Sequence, residues 1–239
     1  AVAFRAGVIN LGTEGQAILG ALAGGLVALY MPGPGFIVMI AALATGVIVG
    51  ALWGLLTALL QNTLGVPILI STLLLNYPAR YFSSWMIRFK LKDPTTDLIA
   101  SKQIAPDTQL PMLVPRKSGL GEMLASTFTP TGHVTAVLTG VNWSLVIVAA
   151  VVALVIFLNK RTRYGFESGL SGQNPEFTRY GGVQPGQLVT KTMALSGGIA
   201  GLAGIIIILG APNTRMLEGQ VLQTNYAWTA LLVTLLAMY

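Results

Sequence analysis

A stretch of 65 residues without a charged side chain or a histidine, residues 15–79, most constrains what this chain can fold into. Soluble domains are roughly 25% charged, whereas the 239 residues of this chain are 54% hydrophobic and only 9% charged. A lipid bilayer explains such a gap better than a soluble core does. We therefore predict a single all-α transmembrane domain over residues 1–239, a polytopic helical bundle with about five to seven crossings.

Apolar segments of suitable length indicate where these crossings lie. We predict membrane spans at residues 7–30, 36–60, 136–158, 188–210 and from 227 onward. The chain begins without an initiator methionine and stops inside an apolar run. We expect both ends to be cut within membrane elements.

The apolar pattern is interrupted between residues 61 and 67, and it resumes for only eight residues, 68–75, before Asn76 and Pro78. One interpretation is a broken or re-entrant helix, which survives at membrane depth only where protein or a water-filled cavity surrounds it. The other is an ordinary helix that is kinked by its proline.

Small residues recur at every fourth position in two of the predicted spans. Such spacing places bare patches on one helix face, where another helix can approach closely. We predict helix packing at Gly46, Gly50, Gly54, Ser196, Ala200 and Gly204.

Polar side chains inside predicted spans need protein or water around them, because an ionised acid at a helix centre costs on the order of 2.5 to 3.5 kcal/mol. Glu14 is the only acid before Asp93, and Asn10 lies four residues earlier, on the same face if the segment is helical. With Gln16 and Asn76, these residues either line a translocation path or form a structural network between helices. A position of Glu14 near the membrane interface is a third possibility.

Two basic loops flank the span at 136–158, so a single crossing would place them on opposite faces. Residues 80–133 contain seven Lys or Arg in 54 positions, and residues 160–191 contain five in 32. The positive-inside rule favours basic loops in the cytoplasm. Charge counting alone does not decide between the two loops.

The second loop, residues 160–187, contains signals for a short helix. Asn174 is suited to the N-cap, Pro175 to the first helical position, and Glu176 to the positive end of the helix dipole. We predict a six-residue helix that begins at Pro175 and is closed by Gly181 and Gly182, because glycine readily takes the left-handed conformation. A helix this short needs a surface to dock against.

These residues carry a resemblance to a known family. GQNPEFTRYGG at 172–182 and MALSGGIAGLAG at 193–204 resemble the coupling-loop region of ABC importer permeases. NLGTEGQ at 10–16 and STLLLNY at 71–77 also resemble the branched-chain amino acid, ribose and nucleoside permease superfamily, within it the nucleoside or simple-sugar branch.

The resemblance implies a multi-pass permease subunit of a prokaryotic inner membrane that moves a neutral polar solute, a nucleoside or simple sugar, past Asn10, Glu14 and Asn76. It implies a second permease subunit as homo- or heterodimer, two cytoplasmic ATPase subunits, an external solute-binding lipoprotein and no nucleic acid. ATP would be bound by the partner subunits, so this chain would hold no cofactor and would not be an enzyme. The loop at 160–187 would be cytoplasmic, and the loop at 80–133 external.

The resemblance also implies which residues couple the chain to the ATPase. They are Gly172, Asn174, Pro175, Glu176, Phe177, Arg179, Tyr180 and Gly181. The family often has alanines where this chain has Phe177 and Thr178. The bulkier Phe177 implies a co-adapted ATPase surface.

The sequence features also have to be weighed against two functions other than an ABC importer permease, a channel or secondary carrier and a membrane enzyme. An ATP-independent channel or secondary carrier would also use broken helices. A membrane protease is disfavoured, because the GxSG pattern at 169–172 places Ser171 in a charged loop, apart from the only histidine, His133. The chain has no cysteine and no GxxxxGK[ST] phosphate loop, so it offers neither a cysteine-ligated metal site nor an ATP site.

Overall fold

The structure, a computed structural model, describes residues 2–111, 142–210, 215–218 and 226–236. These residues are predominantly helical, and the only β-pairing among them consists of two isolated bridges. The helices are α1 (Val2–Arg5), α2 (Thr13–Tyr30), α3 (Gly35–Leu64), α4 (Ile68–Trp85), α5 (Ser144–Arg161), α6 (Arg163–Gln173), α7 (Pro175–Tyr180), α8 (Pro185–Leu209) and α9 (Tyr226–Leu236). The all-α prediction is confirmed.

Three of these helices, α3, α5 and α8, are long and apolar enough to cross a membrane. They correspond to the predicted spans at 36–60, 136–158 and 188–210, although residues 136–141 lie outside the described part of the chain. The span predicted from 227 onward corresponds to α9. None of the side chains of α5 is buried, which suits a helix that faces lipid or another subunit.

Helices α2, α3 and α8 form the centre of the bundle, and glycine allows their close approach. Side chains at Gly46, Gly50 and Gly54 of α3 would collide with atoms of α8, since an added Cβ would lie within 3.0 Å of them. The face of α8 that they meet includes Gly197 and Gly201. Gly46, Gly50 and Gly54 thus lie in close contact with α8, and we call this contact the glycine seam.

On α8, the predicted packing residues Ser196, Ala200 and Gly204 lie one position before the residues that meet the glycines of α3. Ser196 instead bonds Asn10 of the N-terminal segment, and Gly204 packs against the carbonyl of Ala17 in α2. Ala200, on the same stripe as Ser196 and Gly204, is half-buried. The predicted stripe of α8 thus faces α2 and the N-terminal segment, while the adjacent stripe faces α3.

Helix α4 continues through Pro78 without a break and is prolonged by one π-helical turn, Met86–Lys90. Of the two interpretations of this region, the continuous proline-containing helix is the one observed. The predicted external loop at 80–133 is therefore wrong for its first residues, which are helical up to Lys90; residues 112–133 lie outside the described part. Arg80 lies in this helix, where its charge is paired with Glu14 of α2.

The first predicted span, 7–30, begins later than expected, at Thr13. Residues 6–12 are non-helical, and Gly7 has a positive φ of 72° that ends α1. Asn10 therefore does not share a helix face with Glu14, as the helical spacing had suggested. Irregular backbone occurs here rather than at residues 61–78, where only the short connection from Gly65 to Pro67 separates α3 from α4.

The two ends of α8 carry different structures. At its start lie α6 and α7, which occupy most of the region predicted as a loop at 160–187. At its end, Leu110 N–H donates to the Leu209 carbonyl, and Arg215 Nη1 bonds Asp93 Oδ2 at 2.9 Å. Since α8 has 25 residues, these two structures are separated by about 37 Å, enough to lie on opposite sides of a bilayer.

Candidate functional site

A buried polar cluster lies beside the middle of α8, at the non-helical segment 6–12. Asn10 Nδ2 donates a hydrogen bond to Ser196 at 2.9 Å. Ser196 is the twelfth of the 25 residues of α8, so the cluster lies at the middle of this membrane helix. The four residues predicted for the pathway are the buried members of the cluster, and the half-buried Ser196 and the exposed Arg80 complete it. Non-helical backbone at this depth must be surrounded by protein or line a cavity. The hydrogen bonds of the cluster distinguish these two arrangements.

Asn10 is the centre of one half of the cluster. Its Nδ2 also donates to Gln16 Oε1 at 3.0 Å, and its Oδ1 accepts the Gly12 N–H at 2.9 Å. Gln16 is fully buried. These bonds hold the segment before α2 against α8 and replace the helical hydrogen bonds that this segment lacks.

Asn76 of α4 is the centre of the other half. Its Oδ1 accepts the N–H of Gly15 at 2.8 Å, and its Nδ2 donates to the Leu11 carbonyl at 2.9 Å. Glu14 forms an ion pair with Arg80, one turn further along α4. The charge of the buried carboxylate is thus compensated within the protein.

These polar groups mostly satisfy one another, and the cavity that Asn10 and Glu14 line against Trp228 of α9 has a volume of about 10 Å³. That is room for roughly one water molecule and not for a solute. The structure brings Asn10, Glu14, Gln16 and Asn76 together, as predicted. The observed contacts make them a network between helices, and their role in a pathway stays a prediction.

Helix α7 lies beyond the start of α8 and matches the predicted six-residue helix in both bounds. Asn174 Oδ1 accepts the Phe177 N–H at 2.9 Å, which is the expected N-cap bond. Thr178, the buried residue of the helix, donates from its hydroxyl to the Asn174 carbonyl at 2.8 Å. Pro175 occupies the first helical position and Glu176 the first turn.

The end of α7 depends on one of its two glycines. The Gly181 N–H bonds the Phe177 carbonyl at 3.0 Å, and Gly181 has an ordinary φ of −73°. Gly182 has a φ of +83°, the left-handed conformation that glycine adopts without strain. The prediction that glycine closes the helix is therefore confirmed for Gly182, whereas Gly181 does not take the left-handed conformation.

The outer face of α7 exposes aromatic side chains. Phe177 is 62% exposed and Tyr180 is 88% exposed, and Glu176 and Arg179 are exposed beside them. Neither Glu176 nor Arg179 forms an ion pair within the described part of the chain. An exposed aromatic surface with charges at its edge is typical of a protein-binding site.

Helix α6, which the sequence did not predict, connects α7 to the N-terminal segment. Thr162 caps it by accepting the Gly165 N–H, and Gly172 near its end lies against the Arg5 carbonyl. Gly7 is in contact with the same glycine. Gly172 is thus a packing residue that joins the helix before α7 to the segment that leads to Asn10.

The described residues offer no metal site, and they do not bring a serine and a histidine together. In the ranges that the structure describes, no group of three or more histidine, aspartate or glutamate side chains could hold a metal ion. Ser171 of the GxSG pattern lies in α6, and the histidine considered as its base, His133, lies outside the described residues.

Long apolar helices, a polar break at their middle and a capped helix beyond their end indicate a multi-pass membrane protein. The chain belongs to the family described as branched-chain amino acid transport system / permease component, whose sequence model matches residues 1–238. Permease components are not themselves enzymes.

Curated relatives agree with this family. The chain is 30% identical over 233 residues to the glucose ABC transporter permease protein TsgB13 of Haloferax volcanii, covering 97% of the chain and 57% of the relative. It is 28% identical to the nucleoside ABC transporter permease protein NupB of Lactococcus lactis subsp. cremoris, with 88% and 54% covered. The guanosine ABC transporter permease protein NupP of Bacillus subtilis is also 28% identical, with 92% and 57% covered. The chain spans about half the length of these relatives, and no solved structure matches it.

Proposed function

We propose that this chain is a permease subunit of an ATP-binding-cassette importer in the inner membrane of a prokaryote, carrying a neutral polar solute into the cell. The observation that supports this most directly is α7, a capped helix with an exposed aromatic face beyond the start of a membrane helix. A six-residue helix is marginal in water alone. Its exposed Phe177 and Tyr180 are therefore accounted for by a partner that covers them.

The polar cluster supports a neutral solute. Asn10, Gln16 and Asn76 are amides, and the carboxylate of Glu14 is paired with Arg80. A path beside this cluster offers hydrogen bonds but no uncompensated charge. The named substrates of the relatives, glucose, nucleosides and guanosine, have this chemistry, and we propose a nucleoside or simple sugar for this chain.

The proposed assembly places partners at both ends of the bundle. Two cytoplasmic ATPase subunits, which bind the ATP, would dock against α7 and its counterpart in a second permease subunit, identical or related. An external solute-binding lipoprotein would dock at the opposite end, near residues 91–111. ATP-driven closure would move α7 and, through the contact of Gly172 with Arg5, the segment that carries Asn10.

The proposal is tested by removing the ATPase partners. Uptake of radiolabelled nucleosides and sugars is measured in cells with the complete transporter and in cells without its ATPase subunits. Loss of uptake is expected, and uptake that persists would instead indicate a channel or secondary carrier. Thermal-shift screening of the cognate binding protein then separates nucleosides from sugars.

A second test removes the cap of α7. We expect Asn174→Ala to destabilise this helix by about 1 kcal/mol, so that uptake per ATP hydrolysed falls in proteoliposomes. Asn174→Ser is the matched control because serine also caps helices. If Asn174→Ala leaves uptake per ATP unchanged, α7 is not the coupling element.

A further inference from the structure

A polar cavity that the transport proposal does not use lies between the first turns of α6 and α8. Its volume is about 360 Å³, within the range of sites for small molecules. It opens to the surface, and its polar lining includes Arg163, Tyr164, Glu167, Gln187 and Lys191.

The charges of this lining favour an anion. Arg163 bonds Glu167 Oε1 through its Nε at 2.6 Å, while its terminal amino groups bond no described residue. Lys191 forms no ion pair with a described residue and is exposed. The lining therefore has two cations against one carboxylate, and the start of α8 adds the positive end of its dipole.

Tyr164 supplies an uncharged hydrogen-bonding group to the same cavity. Its hydroxyl shares a hydrogen bond of 3.0 Å with Thr192 Oγ1. Burial raises the pKa of Tyr164. The hydroxyl is protonated at neutral pH, as is that of any tyrosine with the ordinary pKa of about 10. A phosphate group is matched by this combination of a guanidinium, an ammonium and a hydroxyl.

The cavity lies at the level of the membrane surface. Helix α5 ends next to it with Lys160 and Arg161, and Gly165 of α6 packs against the carbonyls of Leu158 and Asn159. The apolar side chains of α5 are unburied, and Phe166 of α6 is 68% exposed. The end of this exposed apolar helix thus lies two positions before Arg163, while the lining of the cavity itself comes from α6, α8 and residues 182–184.

We propose that this cavity binds the phosphate of an anionic phospholipid headgroup, with the acyl chains lying along α5. Arg163 and Lys191 hold the phosphate, and Gln187 offers a hydrogen bond to the polar part of the headgroup. The site is independent of the transported solute and of ATP.

The test measures binding of phosphatidylglycerol to the assembled transporter in detergent, by native mass spectrometry, with phosphatidylcholine as the neutral lipid. The variant Arg163→Gln with Lys191→Gln removes both cations of the cavity. The matched control, Lys160→Gln with Arg161→Gln, removes two charges from the same membrane surface outside the cavity. Each basic residue near the surface contributes on the order of 1 kcal/mol to anionic lipid binding.

The wild type is expected to prefer phosphatidylglycerol. Both variants remove two charges and so lose the same general attraction to an anionic lipid. The cavity variant should lose about tenfold more affinity for phosphatidylglycerol than the control, a difference of the size that a hydrogen bond to a charged group supplies. Equal losses in both variants would overturn the proposal, because they would indicate only general attraction to the leaflet. Soluble glycerol 3-phosphate that binds as tightly as the lipid would overturn the lipid assignment.

Discussion

At the scale of single residues, two adjacent glycines after α7 have different conformations. Gly182 has a φ of +83°, and a Cβ added there would have no atom within 4 Å. Gly181 has a φ of −73°, and a Cβ added there would make an ordinary contact of 3.4 Å with the Thr178 carbonyl oxygen. Substitution at Gly182 therefore changes backbone strain alone. Substituting each glycine in turn therefore separates the effect of a positive φ from the effect of replacing a glycine at an ordinary φ.

We expect Gly182→Ala to destabilise the end of α7 by roughly 1 kcal/mol, because alanine in the left-handed region is strained. Amide hydrogen exchange over residues 175–182 should become about fivefold faster. Gly181→Ala is the control and should exchange at nearly the wild-type rate. Faster exchange in Gly181→Ala but not in Gly182→Ala would contradict the assignment of Gly182 as the helix-closing residue.

The polar cluster also depends on individual side chains, and the sequence predicted only some of them. The sequence showed that Asn10, Glu14, Gln16 and Asn76 had to avoid lipid, because each is polar inside an apolar region. It did not show that Arg80 would neutralise Glu14. Their separation of 66 residues leaves no local signal for such a pair.

At the scale of elements, local signals predicted α7 and failed for α6. The bounds of α7 follow from Asn174 and Pro175, whose effects act within one turn. Helix α6 is rich in glycine and has no strong apolar stripe. It is held by tertiary contacts, including Gly172 against Arg5 and Tyr164 against Thr192, and tertiary packing routinely overrides propensity.

The glycine seam between α3 and α8 also depends on tertiary contacts that local sequence signals do not reveal. The fourfold spacing in α3 predicted a packing face, and its glycines lie against α8. Helix α8, however, contains two overlapping stripes of small residues. Which stripe meets α3 depends on the rotation of α8 in the bundle. That rotation is set by the bond between Ser196 and Asn10 and by the contacts of α2.

Adjacent glycines of α8 test the seam. An added Cβ at Gly197 would lie within 3.0 Å of the Gly50 carbonyl oxygen, whereas at Gly198 its nearest contact is a Val47 methyl at 3.3 Å. We expect Gly197→Ala to destabilise the protein by about 1–3 kcal/mol through overpacking, and Gly198→Ala to have a smaller effect. The measurement is the thermal unfolding midpoint of the purified transporter in one detergent. Equal midpoints for the two variants would argue against the observed rotation of α8.

At the scale of the whole molecule, the chain has one end built of α6 and α7 and another built of residues 91–111 and 215–218. Charge counting left their orientation open, because the loops at 80–133 and 160–191 are both basic. The structure separates them by the length of α8, so that an assignment for one end determines the other. The proposed coupling role of α7 places the first end in the cytoplasm and the second outside.

Cysteine labelling can test this arrangement, because the native chain has no cysteine. Tyr180 and Leu98 are 88% and 61% exposed and lie at opposite ends of the bundle. In intact spheroplasts that contain the transporter without its binding lipoprotein, a membrane-impermeant maleimide should label Leu98→Cys and not Tyr180→Cys. Inverted vesicles without bound ATPase should give the reverse. Ser168→Cys, at a buried position, is the control for reagent leakage and for unfolding, and it should stay unlabelled in both preparations. Labelling of Leu98→Cys and Tyr180→Cys from the same side would contradict a bundle whose two ends face opposite compartments, since the single crossing by α5 would then be wrong.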